Sequence, residues 1–376
     1  LGTISEKKKN ITILLIMYFE TIKHLSQEKI VELSANADTY LVFLAEGSAS
    51  EAEEIIATLN QNGINFFGAI YPTIFQDNIN FESGFLIIPA KGVKKVIKVK
   101  NNADSLREQV GDLSQYKTAF LLIDGLMENK DDLFREIYSV VGTSVNIVGG
   151  GAGYFTLQQN PCLFTNEGIF MDGALLALIE NKSQVAVKHG WDMFAGPFMV
   201  TSSENNVIHE INWQSAFEVY KNAIESDSEH RFNDTNYFDI AKMFPIGIHK
   251  DGKDFVVRDP YILRSNGHIE CISDIPENSM IYILKGDQDT LINAAEEVSV
   301  ATNDAERDCK CLMVFDCITR VKYLDDRFKE ELDMMKFANK EVPPTVYGVS
   351  TLGEIASTGY GYVEFYNKTI VAAAIY

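Results

Sequence analysis

Basic side chains are scarce in this chain. Its 33 lysines and arginines stand against 53 aspartates and glutamates, a formal net charge of −20. A surface of that sign repels phosphate backbones and argues against a nucleic-acid partner, though any well-solvated acidic protein would share it. Long apolar runs are missing as well. The longest near the start, Ile11 to Phe19, breaks at Thr12 and stops at Glu20. A bilayer span needs roughly 20 apolar residues, so no membrane insertion is expected. Lys7-Lys8-Lys9 precede the run, but no small-residue cleavage site follows before Glu20 and Lys23, which argues against a secretory leader. The expectation is a cytoplasmic protein.

Cysteine is sparse and odd in number: five, at spacings that fit no disulfide framework, so reduced and mostly buried thiols are the economical reading. Cys309, Cys311 and Cys317 lack a fourth ligand at zinc spacing. The histidines (His24, His189, His209, His230, His249, His268) are scattered and form no HExxH pattern. No metal and no cofactor is expected. Only nine prolines occur and 46% of residues are hydrophobic, which marks a folded chain, and 376 residues suffice for more than one core.

What is present falls into comparable units. In the first, Ile11 to Ile16 reads as a strand and Ser26 to Leu33 as part of a helix. Tyr40 to Ala45 is a continuous apolar run, as in a strand covered on both faces. Ser50 three before Glu53 gives a capping-box signal, and Ala52, Ile55, Ile56 and Leu59 follow at helical spacing. A strand from Ile64 to Phe67 enters Gly68-Ala69-Ile70, and Gly84 to Ile88 closes the unit. The second unit repeats this order. It has a strand at Lys95 to Val99, a helical face of Leu106, Val110 and Leu113, and the buried run Ala119 to Ile123 ending in Asp124. A helix of Leu133, Phe134, Ile137 and Val141, a strand into the run Gly149 to Gly153, and a closing strand Gly173 to Ile179 complete it. The third starts at a strand over Ile281 to Leu284 and continues through a helix with Leu291, Ala295 and Val298. Its buried run is Cys311 to Phe315, ending in Asp316. The stripe Leu324, Phe328, Leu332 and Met335, the strand into Gly348, and the closing strand Thr369 to Tyr376 follow.

The expected fold is therefore α/β, with mixed sheets built from three related βαβαββ units over 11–90, 94–180 and 280–376. Hairpin signals at Glu204-Asn205-Asn206, Asp251-Gly252 and Asn266-Gly267 mark a hairpin-rich insert between units two and three. The charged stretch Glu225 to Asp234 suggests a division into 1–224 and 225–376. The three glycine loops are expected to converge on a central or interdomain cleft.

Catalytic signals are weak. The run Gly149 to Gly153 follows a strand but lacks the Lys-Ser/Thr of a P-loop, and close backbone packing or positive φ is the commoner reason for such a run. Ser350 and Thr351 are conceivable nucleophiles for a hydrolase or transferase, yet no pattern supplies a base. Charges embedded in apolar strand context stand out more: Arg258 after Phe255-Val256-Val257, Arg320 four beyond Asp316, and Glu354 after Thr351. Arginine's fork suits a carboxylate ligand at strand ends, whereas mutual salt bridges would explain the same charges without a ligand.

VNIVGGGAGYFTLQQNPCLFTNEGIFMDGALLALIE, followed by HGWDMFAGPFMVTSSENNVIHEINWQSAFEVY, resembles the N-terminal FIST domain. Asp254-Phe255-Val256-Val257-Arg258-Asp259-Pro260 and Gly348-Val349-Ser350-Thr351-Leu352-Gly353-Glu354-Ile355, with Asn367-Lys368-Thr369 downstream, resemble signatures of its C-terminal companion. Asp316-Cys317-Ile318-Thr319-Arg320 is similar to the family's Cys-x-x-Arg segment. The resemblance implies a signal-transduction sensor that binds a small ligand such as an amino acid and reports to a downstream signalling protein. It supplies no catalytic residues. Two places depart from the pattern, Gly68-Ala69-Ile70-Tyr71-Pro72 in the first turn and Trp213-Gln214-Ser215-Ala216 before a helix. The expected ligand, a small carboxylate, is held by Arg258 or Arg320, with Thr351, Glu354, Asp316 and the backbone amides of Gly150 and Gly151 completing the site.

Overall fold

The computed structural model describes residues 17–99, 103–249, 255–304, 307, 309, 311–336, 343–357 and 363–376. The strand expected at Ile11 to Ile16 and the Asp251-Gly252 turn lie outside them. The first unit runs β1 (Met17–Phe19), α1 (Gln27–Asn36), β2 (Tyr40–Ala45), α2 (Ala52–Gln61), β3 (Phe66–Tyr71), β4 (Ile74–Gln76), β5 (Ile79–Phe81) and β6 (Phe85–Pro89). The second runs β7 (Val93–Val99), α3 (Ala103–Val110), β8 (Thr118–Asp124), α4 (Lys130–Val141), β9 (Asn146–Ala152), β10 (Leu163–Thr165), β11 (Gly168–Phe170) and β12 (Ala174–Ile179). After β13 (Ser183–Lys188) comes the insert: β14 (Asp192–Glu204), β15 (Val207–Ile211), β16 (Gln214–Ser215), α5 (Ala216–Asp227), α6 (Tyr237–Ala241), β17 (Ile246–Ile248), β18 (Val256–Arg258), β19 (Pro260–Leu263), β20 (Ile269–Cys271) and β21 (Met280–Lys285). The chain ends with α7 (Gln288–Thr302), β22 (Cys311–Cys317), α8 (Ile318–Leu324), α9 (Phe328–Met334), β23 (Val346–Thr351), β24 (Glu354–Ser357), β25 (Val363–Tyr366) and β26 (Ile370–Ile375).

Three six-stranded sheets share one plan: β1-β6-β2-β3-β10-β11, β7-β12-β8-β9-β24-β25 and β13-β26-β22-β23-β4-β5. In each, a buried strand (β2, β8, β22) lies parallel to a glycine-bearing strand and antiparallel to the closing strand. Every residue of those three strands is buried, which is why their sequences run apolar without alternation. The last two strands of each sheet come from another unit. Hairpin β10–β11 of the second unit completes the first sheet, β24–β25 of the third completes the second, and β4–β5 of the first completes the third. The exchanges close a ring of three.

This exchange corrects two expectations. The first two units are βαβαββββ rather than βαβαββ, and the third differs only in having two helices, α8 and α9, at its second helical place; a hairpin of short strands precedes every closing strand. The segment Ile281 to Leu284 belongs to β21, which pairs with β14 and β17, while β13 takes the edge of the third sheet against β26. The insert thus interrupts the third unit after its first strand.

The glycines follow from the exchange. Gly68, Gly149 and Gly348 hold matching stations, opposite Val42, Leu121 and Val314. A Cβ there would stand 2.0, 1.8 and 2.3 Å from the carbonyl oxygens of those three residues. On the other side the guest strand sets Phe164, Ile355 and Phe75 against them. The run Gly149 to Gly151 is accordingly strand, inside β9, and not loop. Just beyond the glycines the three units are tied in a circle by backbone bonds: Gly153 N–H to the Ile70 carbonyl at 2.9 Å, Leu352 N–H to Gly151 at 2.8 Å, and Ser350 N–H to Thr73 at 2.9 Å. The segments do converge, on a closed ring of hydrogen bonds.

The insert is an antiparallel half-barrel, ordered β18-β17-β21-β14-β15-β20-β19, with β16 paired to β15. Tyr220 and Ile224 of α5 fill it against Ile208, Ile246 and Ile283. Its two end strands are consecutive in the chain, with Asp259 alone between them. Positions 224 and 225 lie in the last turn of α5.

Local signals fare unevenly. Ser26 caps α1, its hydroxyl accepting from Lys29 N–H at 3.4 Å. Ser50 does not cap α2, which follows a 3-10 turn over Glu46–Glu51 and begins with no side-chain cap. An unanticipated capping box starts α7: Asp287 accepts from Thr290 N–H at 2.9 Å while Thr290 Oγ1 accepts from Asp287 N–H at 3.1 Å. Asp287→Ala is expected to destabilise the chain by about 1 kcal/mol, read as a fall in denaturant midpoint at constant slope.

Candidate functional site

Matching stations in the three units expose what is special about the third. Asp316, Leu44 and Ile123 each pair with the first residue of the closing strand. Glu354, Ile74 and Leu163 each open the guest hairpin. Thr351 matches Tyr71 and Ala152 at the end of the glycine strand. Two siblings therefore build the same fold with apolar residues at the stations of the two carboxyl groups, while at the Thr351 station the second has alanine and the first buries the Tyr71 hydroxyl. Burial of unpaired charge is costly, so architecture alone does not call for them. Asp124 and Asp316, which the sequence aligns, sit one residue out of register and face opposite ways: Asp124 pairs with Ala152, Asp316 with Ser350, the station of Gly151.

The cluster is fully enclosed. Arg320, with 0% exposure, has its Nε 3.0 Å from Glu331 and 3.6 Å from Asp316. Its Nη1 donates to the His189 carbonyl at 2.7 Å and its Nη2 to that of Leu291. Burial, and then the adjacent Glu331, hold the Asp316 carboxyl well above the usual carboxylate range, against the pull of Arg320. With one cation beside two buried carboxyls, the Asp316 carboxyl favours its neutral form. Glu354 Oε1 lies 2.7 Å from the Thr351 hydroxyl, and its Oε2 accepts from Thr369 N–H at 3.1 Å and the Thr369 hydroxyl at 2.7 Å. Burial pushes the Glu354 carboxyl up to about 7, opposed by the bonds from Thr351 and Thr369 and by the charge of Arg320. Gly150 admits this arrangement, since a Cβ there would stand 2.5 Å from Thr351 Cγ2. Gly151 uses its N–H on the Gly353 carbonyl at 2.7 Å. Ser350 bridges units, its Oγ accepting from the Thr73 N–H at 2.8 Å and hydroxyl at 2.9 Å.

Arg258 stands elsewhere. Its Nε donates to the Asp274 carbonyl at 2.9 Å, and its Nη1 to the carbonyls of Val257 at 3.1 Å and Phe365 at 3.2 Å. Nη2 has no hydrogen bond, and no carboxylate stands within ion-pair distance, among the described residues. The side chain is only 8% exposed, yet it lines a cleft of about 640 Å³ between the insert and the start of α4. Lys130, Asp131, Asp274 and Phe365 share that lining. Burial draws the Lys130 pKa down against the acids Asp274, Asp124 and Asp131, and its Nζ donates to the Met127 carbonyl at 2.9 Å. Burial and the facing Asp131 raise the Asp274 carboxyl, opposed by Arg258 and Lys130. A second hollow of about 710 Å³ adjoins across Met127, Glu128 and Asn129, at the carboxyl end of β8. So Arg320, Asp316, Thr351, Glu354 and Gly150 form one buried assembly, and Arg258 alone of the expected residues reaches the cleft.

Two family models match: the FIST N domain over residues 38–214 and the FIST C domain over residues 216–357. The chain belongs to the FIST family. FIST domains are a sensory module in signal transduction. A comparison with curated proteins finds no match. In this FIST protein the Arg258-Asp259-Pro260 corner closes the half-barrel and fastens it to the core. Asp259 meets Lys368 at 3.2 Å, both 1% exposed, while Lys368 Nζ donates to the Lys242 carbonyl at 3.0 Å. The Gly348–Ile355 signature is the crossing by which the third FIST unit hands its hairpin to the second. No described helix of the FIST chain is long and apolar enough to cross a membrane. All five cysteines are free thiols.

Sequence reasoning missed Glu331, Lys130, Asp131 and Asp274. Glu331 had a signal: it falls three after Phe328 and one before Leu332, on the buried stripe. The cleft residues had none, because segments distant in sequence assemble them.

Proposed function

We propose that this FIST protein is a cytoplasmic sensor that holds a small carboxylate-bearing ligand, such as an amino acid, in the cleft under Arg258 and signals to a separate downstream protein. The observation that carries the reading is the nearly buried Arg258 guanidinium, bonded only to carbonyls among the described residues and with no hydrogen bond there at Nη2, at the wall of a cleft of about 640 Å³. Cavities of roughly 300–1,000 Å³ suit small ligands. A carboxylate would take Arg258 and Lys130, and an ammonium group would relieve the repulsion between Asp131 and Asp274. Arg320 is a poor competitor for the ligand, since its donors are bound to Glu331 and two carbonyls.

Thermal-shift screening of amino acids and organic acids tests this. A ligand at about 100 times its Kd is expected to add roughly 2.7 kcal/mol of stability. Arg258→Lys, which keeps the charge but loses the fork, should weaken that ligand about tenfold or more, and Arg258→Ala should abolish the shift. Absence of any shift across the panel, or shifts equal in the variants, contradicts the reading.

A second reading, hydrolase or transferase chemistry at Ser350 or Thr351, has one observation in its favour: Glu354, with its raised pKa, lies within reach of the Thr351 hydroxyl. The complete burial of Ser350, Thr351 and Glu354 weighs against it.

A further inference from the structure

The chain has two tryptophans, in opposite surroundings. Trp191 is buried, and its indole N–H donates to the Lys368 carbonyl at 3.1 Å. Trp213 is 75% exposed, more than any other large apolar side chain among the described residues. Among those residues its indole has no ring contact and its Nε1 no hydrogen bond.

The backbone at Trp213 is as unusual as its exposure. Ile211 pairs with Gln214, so Asn212 and Trp213 are the two central residues of the β15–β16 hairpin. Both are left-handed, at φ +51° and +59°. A two-residue turn of that kind favours asparagine first and glycine second. Asn212 follows the preference and Trp213 breaks it, because a bulky side chain is strained at positive φ. Leaving the indole in water is a second cost. Neither serves the half-barrel, whose core takes Ile211 and Ala216 from either side of the turn and not Trp213.

The tip is nonetheless fastened to β14. Asn212 N–H donates to the Met199 carbonyl at 2.9 Å, and Asn212 Oδ1 accepts from Met199 N–H at 2.9 Å. Trp213 N–H donates to the Thr201 hydroxyl at 2.9 Å. Met199 pairs in turn with Met280, which is 41% exposed. An aromatic side chain on a backbone fixed before contact loses little conformational entropy on binding, as interface anchors do.

The segments around the tip carry one sign of charge. Residues 199–218 and 271–284 contain Glu204, Glu210, Glu218, Asp274 and Glu277 and no lysine or arginine. Glu210 pairs with Ser215 across the hairpin, and Glu218 lies in the first turn of α5. Glu277 precedes Asn278, whose N–H donates to the Val200 carbonyl at 2.8 Å. Glu210, Glu218 and Glu277 are exposed, and none has an ion pair among the described residues.

We infer that the Asn212–Trp213 turn anchors a protein-docking surface. Its partner offers an apolar socket for the indole, a hydrogen-bond acceptor for Nε1–H, and lysines or arginines around the rim. The acidic rim and the formal charge of −20 repel an anionic bilayer, a nucleic acid and a second copy of the chain. The surface lies at the other end of β15 from Asn205 and Asn206, which line the Arg258 cleft. The inference does not rest on what that cleft binds.

Two measurements on the full chain test it. Trp213→Gly supplies the residue the turn prefers, so the denaturant midpoint should rise at unchanged slope. A fall would show that the indole serves the fold and would overturn the inference. The second measurement reads the occupant. A photo-crosslinking benzoylphenylalanine replaces the exposed Gln214 in the cells that naturally make the chain, and the product is identified and purified. The expected product is a basic protein. Titrated against the natural sequence, it should shift Trp213 emission to shorter wavelength and protect it from acrylamide quenching, with buried Trp191 as a constant background. Trp213→Gly should weaken that binding about thirtyfold or more, the loss of a hot-spot residue. Glu210→Lys should weaken it as well, by an amount that shrinks in high salt. No crosslinked protein, a lipid or a second copy as the product, or a protein that binds Trp213→Gly equally well, would contradict the docking surface.

Discussion

Arg320→Met is expected to lower the unfolding free energy by about 3–5 kcal/mol, the usual range for breaking a buried ion pair from one side. Methionine fills much of the arginine volume, so the loss reports charge and hydrogen bonding rather than a cavity. What remains is Asp316 beside Glu331 with no cation, together with the orphaned carbonyls of His189 and Leu291. The pH dependence carries a sign. Asp316 already titrates well above the carboxylate range because of burial and Glu331. Loss of Arg320 raises it further, and a group whose folded pKa exceeds its unfolded pKa stabilises below the latter and loses that contribution as pH rises. The variant should therefore recover part of its deficit as pH falls towards about 5. Denaturant unfolding at several pH values would show this. A deficit under about 1 kcal/mol, or one that grows in acid, would mean that Arg320 is not the counter-charge for this pair.

Gly348→Ala and Gly149→Ala should be comparably severe for a different reason. The added Cβ would stand 2.3 Å from the Val314 carbonyl oxygen and 2.3 Å from the Phe75 ring in the first case, and 1.8 Å from the Leu121 carbonyl oxygen in the second. Relief requires moving the backbone of the adjoining buried strand, β22 or β8, which rotating a side chain cannot do. The cost should reach or pass the roughly 3 kcal/mol upper end of ordinary overpacking. Alanine at Gly142, where nothing lies within 4 Å but φ is +60° and ψ −143°, isolates backbone strain without crowding and should cost about 1–3 kcal/mol. Equal effects at Gly142 and Gly348 would contradict the packing argument.

Much of the architecture could be read in advance because burial on both faces writes itself into sequence. Tyr40 to Ala45 and the helical stripe of Leu133, Phe134, Ile137 and Val141 match their elements closely. The guest hairpins could not be read the same way. Ile74–Gln76 and Leu163–Thr165 are strands of three residues whose partners belong to another unit, so no local alternation announces them. The edge strand β13 is separated from the rest of its unit by the entire insert. Arg258 and Arg320 look alike in sequence, each a charge at the end of an apolar run. Only tertiary structure divides them, Arg320 into a closed ion cluster and Arg258 onto an open cleft. The run Gly149 to Gly151 suggested a loop because glycine usually marks turns, whereas here a neighbouring backbone occupies the space of a side chain.

The structure of the full chain bound to whichever amino or organic acid stabilises it in the screen would be the most direct measurement. Its carboxylate is expected on Arg258 Nη2, between Lys130 and the Asp131–Asp274 side of the cleft. A ligand seated elsewhere, with Arg258 still bonded only to the carbonyls of Val257, Asp274 and Phe365, would contradict the assignment of this cleft as the sensing site.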